Sequence, residues 1–256
     1  MGDGAAPGRA GHRLMGTTPR GTSNERQAAE YVRGMFGGIA RQYDLLNHLL
    51  SFNLDKGWRR RTVERVASLV TAPDARILDL CCGTADVLIE LERLRGRPAL
   101  GADFCHPMLL TAASKIGGGR LGSELFEADG LVLPLRDGAL DAITIAFGFR
   151  NFANYNKGLA EMLRVLKPGG VAAILEFSQP KNAVFARAYD WFTTVLLPRI
   201  GGLISGSRQA YSYLPESIRK FPSAELLAAR MREAGFRRVD VELMTFGAVA
   251  LHLGYK

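Results

Sequence analysis

The chain has 256 residues, 47% apolar and 23% charged, and carries a formal net charge of +8. That composition suits a globular protein with a sizeable core. No stretch approaches the roughly 18 uninterrupted apolar residues of a spanning helix, and the basic excess favours anionic partners such as lipid headgroups, nucleic acid or phosphorylated ligands. Three cysteines, Cys81, Cys82 and Cys105, make no disulfide framework, and four scattered histidines have no metal-ligand spacing. A reducing cytosol and no structural metal follow as the simple expectation.

Residues 1–24 are rich in Gly, Ala, Arg, Thr and Pro without apolar periodicity and read as a disordered tail. Residues 25–256 read as a single domain. Within it, 25–70 form a helical cap, where Phe36, Ile39, Tyr43, Leu46 and Leu50 recur at helical spacing. Asp55 is placed to cap a second amphipathic segment running through Trp58, Val63, Val66 and Leu69.

The texture then alternates. Short apolar strands are predicted at 76–80, 99–103, 124–128, 140–146 and 171–177, with helices between them. One helix, with Leu159, Met162, Leu163 and Leu166 on a face, stops at Lys167-Pro168-Gly169-Gly170. A helical insertion spans 183–215, Ser223 caps a further helix, and strands at 238–244 and 247–253 sit close enough for an antiparallel hairpin. The fold class is therefore α/β, a doubly wound and mostly parallel sheet with helices on both faces.

The ends of successive strands carry the chemistry. Asp79-Leu80-Cys81-Cys82-Gly83-Thr84 is a buried strand running into a turn where backbone N–H groups can approach a ligand. The single glycine there departs from the three-glycine dinucleotide fingerprint, which favours a nucleoside with a small charged group over a pyrophosphate. Asp103 ends the next strand, 24 residues after Asp79, where a carboxylate can accept both ribose hydroxyls. The alternative is a helix cap. Asp129-Gly130 ends the third strand and suits an adenine amino group, the alternative being an ordinary Asp-Gly turn.

Beyond these shared features, Tyr43-Asp44-Leu45-Leu46-Asn47 with Trp58-Arg59 is a further recognisable piece, and three stretches are more specific: Phe147-Gly148-Phe149-Arg150-Asn151, Leu175-Glu176-Phe177-Ser178 and Tyr213-Leu214-Pro215-Glu216-Ser217-Ile218. On these the chain resembles the ubiquinone/menaquinone biosynthesis C-methyltransferases, from about residue 31 to the C-terminus. The resemblance implies a Rossmann-like class I methyltransferase with a seven-stranded, mostly parallel sheet and a C-terminal antiparallel hairpin. It implies S-adenosylmethionine as cofactor, contacted by Thr84, Asp103, Asp129 and Gly130, with Asp79 and Gly83 beside them. Two departures stand out: Ala146 where the family usually has serine, and Phe149 where it usually has an aliphatic residue.

The activity so implied is C-methylation of a polyprenyl quinol, converting demethylmenaquinol to menaquinol. The alternatives are the 2-polyprenyl-6-methoxy-1,4-benzoquinol of ubiquinone synthesis, or a methyltransferase-fold assembly subunit without catalysis. A quinone ring is electron-poor, so the reduced quinol must attack as its phenolate. A guanidinium stays charged and can hold that oxyanion, which makes Arg150 the expected catalytic group, with Asn151 at the second ring oxygen and Tyr43 stacking or relaying a proton. The insertion, with Val184, Ala188, Trp191, Phe192, Val195 and Leu196 at helical spacing, suits a lid over the tail, a packed helix or a homodimer contact. The basic clusters Arg59-Arg60-Arg61 and Arg230, Arg232, Arg237, Arg238 suit peripheral contact with the inner face of the membrane from the cytoplasm, and no nucleic-acid motif appears.

Overall fold

The computed structural model describes residues 16–40, 42–117, 122–196 and 208–256. A first helix, α1 (Glu25–Ile39), opens on Asn24, whose side chain accepts from the Gln27 N–H. It buries Ala28, Val32, Met35 and Ile39 as one stripe. α2 (Tyr43–Leu50) begins afresh after a break, so the expected continuous face is split between two helices.

α3 (Leu54–Arg65) follows Asn53, which takes the left-handed conformation at φ 59°. Asp55 is therefore not the expected cap. It lies inside the first turn, buried, and binds Arg59, His48 and Ser51. The N-terminal boundary also moves. Thr17, expected in the tail, is 4% exposed and its hydroxyl meets that of Tyr213 at 2.8 Å. Residues 1–15 of that expected tail lie outside the described residues.

The strands are β1 (Ile77–Leu80), β2 (Leu100–Asp103), β3 (Glu124–Glu127), β4 (Leu140–Ala146), β5 (Leu166–Phe177), β6 (Arg238–Met244) and β7 (Val249–Tyr255). They form one sheet in the order β3-β2-β1-β4-β5-β7-β6. The first five are parallel, while β7 is antiparallel to both β5 and β6. β5 starts earlier than expected, because Leu166 already pairs with Leu140 before the register shifts at the Pro168-Gly169-Gly170 stretch.

Apolar strands need cover on both faces. Leu159 and Met162 of the helix Tyr155–Val165 and Leu227 and Met231 of the helix Ala224–Glu233 pack one face. Val63, Val70, Leu88 and Leu91 from the helices between residues 54 and 95 pack the other. Ser223 caps the helix Ala224–Glu233 as expected, accepting from the Leu226 N–H. Strand order reverses between β1 and β4, which places a crevice beyond their carboxyl ends.

The insertion is helical at Ala183–Trp191 and π-helical at Phe192–Leu196, and the helix Arg208–Lys220 follows. Residues 197–207 lie outside the described residues. The expected stripe is turned in part: Val184 and Trp191 are 80% and 57% exposed, whereas Phe192 and Val195 from it, and Phe185 and Tyr189 beside it, are partly buried. Ring packing of Phe185 on Tyr189 and Phe246, and of Phe192 on Phe52, fixes that rotation.

Candidate active site

Backbone strain marks the crevice. Cys81, Ala85 and Phe147 all have positive φ, at 56°, 73° and 60°, although none is glycine. Such conformations cost on the order of 1–3 kcal/mol each and persist where the surrounding structure enforces them. They bend the chain sharply at the ends of the two switch-point strands. The turns open a cavity of about 720 Å³ lined by Gly83, Asp103, Asp129, Gly130, Ala146 and Asn151, with Tyr43 at its border.

Asp103 accepts from the N–H groups of Gly83 and Cys105, both at 2.9 Å. Burial nevertheless pushes its carboxyl up to about 6, those backbone donors opposing the shift. Asp129 accepts from the Leu131 N–H and folds the turn around Gly130. A Cβ on Gly130 would come within 2.5 Å of the Phe152 ring, so glycine is needed there for ring packing.

A side pocket of about 310 Å³, lined by Asp79, Cys81, Gly83, Thr84 and Tyr43, opens from the same turn. Asp79 takes the Thr144 hydroxyl on Oδ1 at 2.7 Å, while its buried Oδ2 has no partner among the described residues. Burial raises its carboxyl to about 7. The Thr84 hydroxyl is already given to Asp44.

A second cavity of about 650 Å³ lies under the helical cap. Its apolar walls include Phe36, Ile39, Trp58, Phe147, Phe177 and Leu214. Its polar groups are Tyr43, Asn47, Ser51, Asp55, Arg59, Arg150 and Tyr213. Tyr43 and Phe147 line both large cavities, so the two meet there. Burial raises the Tyr43 hydroxyl, with Arg150 and Arg59 opposing.

Arg150 is 5% exposed and pairs with the fully buried Glu176 at 2.9 Å. It also donates to the Phe147 carbonyl, yet its buried Nε has no partner among the described residues. Burial pulls its pKa down, but Glu176 and neighbouring tyrosines outweigh that and keep it charged. A spare N–H of a buried guanidinium at an apolar cavity is a ready-made anion contact. Asn151 does not share this wall as expected. It lines the first cavity, and its Oδ1 accepts from Tyr213 at 3.0 Å.

Some contributors carried no role in the sequence reading. Glu176 lies inside a quoted motif, and a lone acid in an apolar strand end was signal enough to demand a buried partner. Ser51 and Asp55 gave no such signal, because their helix turn brings them to the cavity only through the cap. Arg59, read as part of a basic surface cluster, is 6% exposed and pairs with Asp55 and Asp86. Phe149, the second departure, is wholly buried against Phe152 and Tyr155.

A seven-stranded, mostly parallel sheet with an antiparallel C-terminal pair, whose switch point opens on strand-end acids with a second cavity abutting the first, is the arrangement of a class I methyltransferase of the S-adenosylmethionine-dependent type. A solved S-adenosylmethionine-dependent methyltransferase from Thermotoga maritima, described as a possible histamine N-methyltransferase, shares the fold with a TM-score of 0.61 at 17% identity, covering 87% of this chain and 99% of that one. Residues 23–256 match the ubiE/COQ5 methyltransferase family, and the chain belongs to it. Demethylmenaquinone methyltransferase of Thermus thermophilus is 52% identical over 86% of this chain and 99% of its own length. The protein of that name from Deinococcus radiodurans is 44% identical over 91% and 95%. A ubiquinone/menaquinone biosynthesis C-methyltransferase of Geobacter sulfurreducens is 41% identical over 90% of each chain.

Proposed function

We propose that this methyltransferase methylates the ring carbon of demethylmenaquinol, giving menaquinol. The observation that carries the reading is the buried, partly unsatisfied Arg150 on an apolar cavity that meets the strand-end cavity at Tyr43 and Phe147. The names of the 52% and 44% identical relatives favour the menaquinone precursor over the benzoquinol of ubiquinone synthesis.

S-adenosylmethionine supplies a methyl group already activated on a sulfonium. The chain fits it: Asp103 stands where ribose hydroxyls would be accepted, Asp129 and Gly130 border the adenine position, and the orphan Oδ2 of Asp79 awaits a donor such as the ammonium of the methionine end. Gly83 and Thr84 shape the turn between them. Arg150 holds the acceptor's phenolate oxygen through its guanidinium, keeping the ring electron-rich. Tyr43 and Phe147 stand between donor and acceptor and exclude water. Asn151 fixes Tyr213 rather than touching the acceptor.

The experiment is transfer of tritiated methyl from S-adenosylmethionine to demethylmenaquinol and, separately, to 2-polyprenyl-6-methoxy-1,4-benzoquinol. Label in the naphthoquinol is the expected result. Label in the benzoquinol alone would move the protein to ubiquinone synthesis, and cofactor binding with no transfer would leave an assembly subunit.

A polyprenyl acceptor resides in a bilayer, so we place the protein at the inner face of the membrane as a peripheral visitor from the cytoplasm. No helix among the described residues is long and apolar enough to cross one. Leu45, Leu49, Phe52, Trp191 and Phe246 are all at least 48% exposed, and Phe52 touches Phe192 while Phe246 touches Phe185. That apolar rim borders elements that also present exposed Lys56, Arg60 and Arg187. Vesicles containing a third phosphatidylglycerol should retain the protein at low salt, and Phe52→Ser with Trp191→Ser should release it. Equal retention on neutral vesicles would remove the electrostatic part of the reading.

A further inference from the structure

The second cavity has Arg150 on one wall and a polar cluster on the cap, where Ser51 and Asp55 sit beside Asn47 and Arg59. Arg150, in the turn after β4, brings its charged guanidinium to the wall. The cap, through the α2–α3 turn, offers Ser51 and Asp55. Ser51 has one hydroxyl proton, and the 2.6 Å contact commits it to Oδ1 of Asp55. Its other contact, to the His48 carbonyl, is long at 3.4 Å. Toward the cavity the Ser51 oxygen therefore shows lone pairs alone.

Asp55 is an acceptor by the same logic. His48 lies 2.7 Å from its Oδ2, and Arg59 bonds the same oxygen. Burial alone would raise its carboxyl, but Ser51, Arg59 and His48 outweigh burial and hold it below the usual range. It stays ionised at any working pH, so it keeps Ser51's proton turned away from the cavity. Among the described residues no other carboxylate lines this space.

We propose that Ser51, backed by Asp55, makes the acceptor cavity select the reduced quinol over the oxidised quinone. A singly ionised 1,4-quinol carries one oxyanion and one hydroxyl, which match the Arg150 donor and the Ser51 acceptor. A quinone carries two carbonyl oxygens and no proton to give the Ser51 oxygen, so that contact is lost. The inference rests on the quinol reading above and adds the residues that enforce it. An acceptor left without its donor in a buried cavity costs a neutral hydrogen bond and leaves a lone pair unpaired, on the order of tenfold in affinity. Selecting the reduced form also spares the enzyme a non-reactive complex with the oxidised pool.

The test is anaerobic calorimetry on the full chain loaded with S-adenosylhomocysteine, titrated with 2-prenyl-1,4-naphthoquinone and with its dithionite-reduced quinol. The quinol should bind at least tenfold tighter. Ser51→Ala should bring the two affinities together, chiefly by weakening the quinol, while leaving quinone affinity within about twofold. Asp55→Asn frees Ser51's proton and should improve quinone binding outright. Should that variant fold poorly, Ser51→Ala still decides, since it removes one half-buried hydroxyl. Equal affinities in the unsubstituted protein, or an unchanged ratio in Ser51→Ala, would overturn the inference and leave the quinol assignment standing. Failure of either form to bind would overturn that assignment and the inference with it.

Discussion

Arg150→Ala should cut turnover by about a hundred- to a thousandfold while leaving cofactor affinity unchanged. The magnitude is that of removing one donor aimed at a developing oxyanion. Specificity for turnover follows from placement: Arg150 lines the second cavity, and the strand-end acids line the first. A complication comes from Glu176, which is fully buried and loses its ion-pair partner in this variant. Stranding a buried charge costs about 3–5 kcal/mol of stability. The two effects separate in Arg150→Met combined with Glu176→Gln, which removes both charges. That double variant should recover most of the melting temperature and none of the turnover. Recovery of turnover together with stability would reduce Arg150 to a structural ion pair.

Asp103→Ala should weaken S-adenosylmethionine binding by about a hundredfold or more, with the acceptor affinity preserved. Two ribose hydroxyls on one carboxylate are worth about 1.5–3 kcal/mol each as charge-assisted bonds. The Gly83 and Cys105 N–H groups also lose their acceptor, which loosens the turn. Calorimetry with the cofactor alone reads this directly, and an affinity within threefold of the parent would remove Asp103 from the site.

The same carboxylates give the binding a pH dependence. Asp103 sits at about 6 and Asp79 at about 7, both raised by burial from an ordinary 3.8. As pH falls through 7 and 6 they take up protons and lose the charge that strengthens those contacts, so cofactor affinity should fall between pH 8 and 5. Stability of the ligand-free protein moves the opposite way. The folded chain retains protons that the unfolded chain has released, so this contribution is complete below about pH 4 and is lost as pH rises through 6 and 7. Asp79→Asn should erase the upper part of both trends, and a flat affinity profile in the parent would contradict them.

Much of the fold was legible because its signals are local. Short apolar runs alternating with helical periodicity specify a parallel sheet wherever they occur, and a buried strand ending in glycine specifies a turn. Asp103, Asp129 and Gly130 were readable for that reason, since strand ends in such a sheet converge on one edge. The family motifs singled out Arg150, which lines the second cavity. Glu176 was within reach of the same reasoning, as a charge in an apolar strand needs a partner.

Other features depend on contacts between elements far apart in sequence. The rotation of the helix Ala183–Trp191 is set by Phe246, and the burial of Thr17 by Tyr213, neither of which leaves a local trace. Asp55 has the spacing of a helix cap, yet Asn53 adopts the left-handed turn and the carboxylate becomes the hub of His48, Ser51 and Arg59. Amino-acid order alone determined the layered sheet, the family and the strand-end acids, because each is written in spacing of a few residues. Which groups face the second cavity, and with their donors or acceptors outward, was decided by the cap folding over the sheet, since a side chain's remaining hydrogen-bonding capacity depends on the partners packing brings to it.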